Sequence, residues 1–188
     1  GVKFLNNFLE NSKLFSLFFM SLCFLFVING ANLVDGYNGL LGIHSLMIIL
    51  NLFLINFFSG NDNLAFFLFC IILILIIFLK FNFPKASLFL GDSGSYILGT
   101  IVAISVIKTS IDHSTISPFY FCILLYYLSF EVFFSFIRKF IVKSTHPLLP
   151  DKKHLHMLLY KIFYKKNNEK LKSNYLVSIA INSFYLIS

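Results

Sequence analysis

The chain has 188 residues, of which 58% are hydrophobic, 26 are Phe and only 12% are charged; its mean hydropathy is +0.84. A water-soluble domain is roughly half apolar and about a quarter charged, so this composition excludes one and indicates an integral membrane protein. The net charge of +7 comes with no basic amphipathic helix or RNA-binding motif, which argues against nucleic acid as a partner; in a membrane protein, lysine reports topology instead.

A spanning helix needs about 20 apolar residues. Six runs approach that length: Leu14 to Ile28, Leu40 to Phe58, Leu64 to Leu79, Tyr96 to Ile107, Pro118 to Ile137, and Tyr175 to Ser188. The first has neither the basic start nor the cleavage site of a removable signal and should stay in the membrane. The predicted fold class is all-α, a polytopic membrane helix bundle with about six transmembrane helices forming a single membrane domain over residues 1–188. Gly1 in place of Met, and a last apolar run still in progress at Ser188, suggest the C-terminal portion of a larger protein. Cys23, Cys70 and Cys122 fall inside apolar runs, too far apart for a zinc or redox motif, and are expected to be buried thiols.

If all six runs span, the loops alternate between two faces. One face collects 12 Lys and Arg residues and the other 3, so the first is cytoplasmic by the positive-inside rule. That face also receives three polar segments. The first, Asn32 to Gly39, repeats Asn32, Asp35 and Asn38 at a spacing of three, so a helical turn would align their oxygens. The second, Gly91-Asp92-Ser93-Gly94-Ser95, stands before an apolar run like a phosphate-cradling turn at a helix N-terminus, although it lacks the Lys-Ser/Thr ending of a Walker loop. Its Asp could hold Mg2+, which favours carboxylate, water and phosphate oxygens.

In the third segment, Pro150 to His156, imidazoles and lysines stand together and suit an anionic ligand better than zinc, for which further ligands at metal-site spacing are missing. Plain alternatives exist for each segment: helix caps for the first two and a solvated juxtamembrane patch for the third. A short amphipathic helix is expected around Leu155 to Tyr164. Glu131, a carboxylate inside an apolar span, needs a partner, and Arg138 two turns on is a candidate. His44, Asn51 and Asn56 read as interhelical hydrogen-bonding groups, and Asp112 and His113 as solvated residues of the outer face.

Taken in order and spacing, these segments resemble the polyprenyl-phosphate N-acetylhexosamine-1-phosphate transferases, the glycosyltransferase 4 membrane family. Asn32 to Leu40 matches the family's Asn-x-x-Asp-Gly-x-(Asp/Asn)-Gly-Leu motif. Asn82 to Ser95 matches its lead into Phe-Met-Gly-Asp-x-Gly-Ser, and Arg138-Lys139 with Pro150 to His156 matches its late loop. The resemblance implies transfer of a sugar-1-phosphate from a UDP-sugar to polyprenyl (undecaprenyl) phosphate, with release of UMP and with Mg2+ or Mn2+ as cofactor. A multi-pass protein of the bacterial inner membrane, acting in the first membrane step of cell-envelope polysaccharide synthesis, is implied as well; a homodimer is compatible with it.

By the same resemblance Asp92, Asp35 and Asn32 stand at the metal, and Asp35, Asp92, His154 and His156 are the catalytic set. Asn38, Asn82, Gly91, Ser93, Arg138 and Lys153 bind substrate. His-Leu-His, in place of three consecutive histidines, favours a UDP-N-acetylhexosamine over a MurNAc-pentapeptide donor. The chain departs from the family pattern in four ways: Asn38 replaces an acid many members carry, Met157 replaces a further His, Pro84 is shifted relative to Ala86, and no Asp-Asp pair occurs. The competing class is a transporter, an inactive family fragment, or a non-catalytic membrane protein that only binds lipid or nucleotide. Against a transporter, the polar segments all fall on one face, whereas a transporter divides them or buries them at the midplane.

Overall fold

The structure, a computed structural model, describes residues 11–142 and 154–187. Among them every regular element is a helix: α1 Lys13–Val34, α2 Leu40–Phe58, α3 Asp62–Asn82, α4 Gly91–Asp112, α5 Pro118–Leu124, α6 Tyr126–Val142, α7 Leu155–Asn167 and α8 Lys170–Ile187. Four of them, α1 to α4, are long and apolar enough to cross a membrane. The pair α5–α6, bent by 70°, makes a fifth if it counts as one span. The expectation of about six is thus met to four or five. α8 stands on the sixth run but is not among the helices that pass, since its 18 residues include Lys170 and Lys172 as well as Asn174 and Asn182; Asn174, Ser178 and Asn182 turn their side chains to the first motif loop and α2.

Local chemistry sets the ends. Ser12 caps α1 by accepting from the Phe15 N–H, and Ser117 does the same for α5, with Pro118 at the first helical position where its missing N–H costs nothing. α1 packs on α4 and α6, α2 on α3, α4 and α8, and α7 on α8. Lipid tails are as apolar as leucine, so close backbone approach and interhelical hydrogen bonds take over from hydrophobic burial. Gly99 of α4 faces Ala31 of α1 so closely that a Cβ there would stand 2.8 Å from the Ala31 Cβ. Many large apolar side chains, among them Phe66, Ile74, Ile97 and Phe140, point outward, as a bilayer requires. Cys23 and Cys122 are exposed too, and Cys70 partly so, which corrects the expectation of buried thiols: apolar surroundings here include the outer face.

Two features hold irregular backbone in place. At the α5–α6 break, the Tyr185 hydroxyl of α8 shares its one proton between the carbonyls of Ile123 and Leu124, at 2.8 and 2.9 Å. Broken helices are tolerated at membrane depth only when such groups are satisfied again. At the end of the bundle away from the motif loops, Asn56 donates to Thr109 Oγ1 at 2.9 Å, and Asn61 donates to both Asn56 Oδ1 and Asp112 Oδ2. Lys108 pairs with Asp112 at 2.7 Å, and a His113 ring nitrogen lies 3.1 Å from Asn56 Oδ1. Asp112 and His113 therefore belong to an interhelical lock rather than being merely solvated, while His44, Asn51 and Asn56 are the interhelical groups expected.

Candidate active site

α1 ends where the Asp35 N–H closes onto Ala31 and Asn32 carbonyls, and at Asp35 the backbone leaves helical geometry. Asn32, Asp35 and Asn38 therefore do not share one helical face: Asn32 stays in the last turn of α1, while Asp35 and Asn38 turn into the loop. Gly39 stands at φ +75°, a left-handed conformation that starts α2 without a side-chain cap. Its N–H donates to Asn82 Oδ1 at 2.6 Å, and Asn82 Nδ2 donates to the Leu88 carbonyl at 2.7 Å. Asn82, expected to bind nucleotide, is buried and stitches the first motif loop to the second. Asn38 adds a bond from Nδ2 to the Pro84 carbonyl at 2.9 Å.

The loop is also gripped from α8, which the sequence reading did not connect with the site. Asn174 Oδ1 accepts from the Asn38 N–H at 2.8 Å, and the Ser178 hydroxyl donates to the Asn38 carbonyl at 2.6 Å. A small amide and a hydroxyl one helical turn apart were the available signal, but nothing in their spacing names the loop they bind.

Between the first two motif loops lies a cleft of about 200 Å³ lined by Asp35, Gly36, Tyr37, Asn38, Asn82, Phe89 and Gly91. Asp92 and Ser93 lie exposed in the first turn of α4, and no side chain caps that helix, so its first N–H groups stay open to an anion. Burial, and then the negative charge of Asp92, push the Asp35 carboxyl up to about 6. A buried carboxyl whose ionisation is made costlier by a second acid nearby is a donor that a divalent cation would relieve. Among the described residues no group of three or more His, Cys, Asp or Glu side chains gathers at one point. The residues present thus fit a cation held in part by phosphate oxygens and water rather than an all-protein cage.

The third motif meets the first. His156 is fully buried, with its ring 5.6 Å from Tyr37 and its Nε2 3.9 Å from where a Cβ on Gly36 would stand. His154 is buried too, its Nδ1 2.8 Å from Glu131 Oε2. The carboxylate predicted to pair with Arg138 is thus engaged by the histidine segment, while the Arg138 guanidinium lies 5.2 Å from the centre of the Phe134 ring. Lys153 and the rest of Pro150 to Lys153 lie outside the described residues. The expected amphipathic helix is present as α7, Leu155–Asn167.

No solved structure matches the chain. An undecaprenyl-phosphate alpha-N-acetylglucosaminyl 1-phosphate transferase of Thermotoga maritima is 34% identical over 144 residues, covering 73% of this chain and 41% of that protein. Phospho-N-acetylmuramoyl-pentapeptide-transferases of Caldicellulosiruptor bescii and Dictyoglomus turgidum are 39% and 40% identical, over 46% and 50% of the chain and 28% and 30% of their own lengths. The chain thus spans about two fifths, or less, of the length of these relatives. The Glycosyl transferase family 4 model matches residues 1–110, a stretch that contains the Asn32 to Leu40 and Gly91 to Ser95 motifs with Asp35 and Asp92, and the chain belongs to that family of phospho-sugar transferases.

Proposed function

We propose that the protein moves a sugar-1-phosphate, from a UDP-N-acetylhexosamine, onto polyprenyl phosphate at the cytoplasmic face of the bacterial inner membrane. The observation that carries this reading is the meeting of Asp35, the Asp92 turn and His156 around one loop, drawn from three motifs far apart in the chain. A transporter has no need of such a one-ended constellation. The match to an N-acetylglucosaminyl 1-phosphate transferase extends over 73% of the chain, against 46% for a MurNAc-pentapeptide transferase, and His-Leu-His supports the simpler sugar. The lysine-rich face supports the orientation.

In the proposed reaction a phosphate oxygen of the lipid attacks the sugar-side phosphorus, the bond to the second phosphate breaks, and UMP leaves. Asp35 and Asp92 are the residues that would hold Mg2+ or Mn2+, with Asn32 one helical turn before Asp35. The cation, when bound, supplies neutralisation of diphosphate charge. The open first turn of α4 at Gly91 and Ser93 receives phosphoryl oxygens, and Asn38 and Asn82 hold the rim that faces the nucleotide. His154 and His156 stabilise charge on the transferring group, so catalysis is mainly positioning and electrostatics. The test is UMP release by the full-length protein: it should require the UDP-sugar, polyprenyl phosphate and Mg2+ or Mn2+ together, and release without the lipid would overturn the reading.

The strained acid gives a readout that needs no turnover. Asp35 is raised from 3.8 to about 6 in the folded protein, so the fold binds a proton more tightly than the unfolded chain does. The stabilisation is complete below about pH 4 and is lost as pH rises through about 6. In EDTA at pH 7.5, Asp35→Asn should therefore raise the heat-challenge midpoint of the detergent-solubilised protein by a few degrees. The gain should vanish at pH 4, and also when Mg2+ stabilises the wild type. A midpoint gain independent of pH and metal would count against the paired-acid site.

A further inference from the structure

A carboxylate inside a membrane helix persists only with partners, and those of Glu131 are specific. Its side chain is 1% exposed, and His154 and His156 are 4% and 0% exposed. Glu131 Oε2 lies 2.8 Å from His154 Nδ1, Oε1 accepts from the Leu155 N–H at 3.1 Å, and Oε1 also lies 3.6 Å from His156 Nδ1. An ionised carboxylate only accepts, so the proton of that first contact sits on His154 Nδ1. The Leu155 N–H belongs to the first residue of α7, where no intrahelical partner exists and negative charge is favoured. The two imidazoles lie parallel, 5.3 Å apart with 1° between planes. His156 Nδ1 also faces the Tyr127 hydroxyl at 3.4 Å. Its buried Nε2 has no hydrogen-bond partner among the described residues and stands against Gly36 of the cleft.

We propose that Glu131 is a positioning residue for the phosphoryl-transfer site: from within the membrane helix it fixes the Nδ1–H tautomer of His154, orients His156 and starts α7, so that a protonated His156 Nε2 is held against the Asp35–Gly36 loop to donate to a phosphoryl oxygen. The inference rests on the transferase reading and deepens it. A carboxylate behind an imidazole sets which nitrogen faces the reaction, and removing such an orienting partner costs on the order of 10–100-fold where this has been measured at metal-bound histidines. A capping role alone would be served as well by glutamine, which keeps one accepting oxygen for the Leu155 N–H. Glutamine cannot accept from Leu155 and His154 with separate oxygens.

The experiment is a double-mutant cycle on the full-length protein, reading UMP release. Glu131→Gln should lower kcat by about 10–100-fold with little change in KM for the UDP-sugar, and in a His154→Ala background the same change should cost clearly less than it does in the wild type, His156 retaining part of the dependence. Unchanged kcat in Glu131→Gln, or losses that multiply in the double variant, would overturn the proposal. If the glutamine variant does not survive purification, Glu131→Asp, which withdraws the charge by one methylene, runs the same cycle. If the wild type releases no UMP, the transferase reading fails by itself. The hold on the histidines is then read from carbethoxylation by diethyl pyrocarbonate, expected to mark His154 and His156 in the variant and spare them in the wild type; equal marking would overturn it.

Discussion

Asp92→Asn in the full-length protein is expected to reduce UMP release about 10³-fold, the loss seen when one preorganised electrostatic group is removed from a charged transition state. The same change should barely affect the fold. Asp92 is exposed in the first turn of α4, where a carboxylate contributes about 0.3–1 kcal/mol through the helix dipole, and its backbone carbonyl, which survives the substitution, accepts from Ser95 Oγ. The two magnitudes separate the roles: a 10³-fold loss corresponds to about 4 kcal/mol of activation free energy, several times what the fold can lose. Release within a few-fold of wild type, in a variant with an unchanged melting midpoint, would remove Asp92 from the site.

Gly30→Ala should destabilise the protein, although alanine in place of glycine within a helix ordinarily gains about 1 kcal/mol. Gly30 lies in α1 against α6, and a Cβ there would collide with the Leu128 carbonyl oxygen and stand 2.7 Å from the carbonyl carbon and 3.1 Å from the Cα. All three are backbone atoms of a helix, so no rotamer change relieves the contact and α6 must move away. Overpacking typically costs about 1–3 kcal/mol, occasionally more, which exceeds the propensity gain and reverses its sign. Leu128 is three residues before Glu131, so the displacement should also loosen the histidine segment. The check is the midpoint of a heat challenge followed by size-exclusion chromatography; a rise would show that the α1–α6 contact is not as close as described.

Much of the helix plan was legible from apolar runs. The run Leu40 to Phe58 has the same limits as α2, and Leu64 to Leu79 lies within α3. The run ending at Ile28 fell short of the end of α1 because Asn29, Gly30 and Asn32 look like loop residues. In the structure Asn29 turns its amide back onto the Leu25 carbonyl and Gly30 serves the α6 contact, so polarity there does not mean exit from the helix. The motifs marked the acids and histidines because their chemistry is local to short segments. The partners that seat them, Asn174, Ser178 and Glu131, were illegible as such, since each acts on a segment far away in sequence. The α5–α6 break was equally hidden: neither Gly nor Pro marks Leu125, and the residue that satisfies the open carbonyls is Tyr185.

That tyrosine has a consequence for biogenesis. Tyr185 lies 61 residues after Leu124, whose carbonyl it binds, so it leaves the ribosome well after α5 and α6 have done so. Until α8 arrives, the bend would leave its carbonyls unsatisfied in hydrocarbon, a state the bilayer penalises by several kcal/mol per group. The bend is thus expected to depend on α8: without Tyr185 the α5–α6 segment would favour a straighter helix. The same helix holds Asn38 through Asn174 and Ser178, so docking of α8 would support the bend and the first motif loop together.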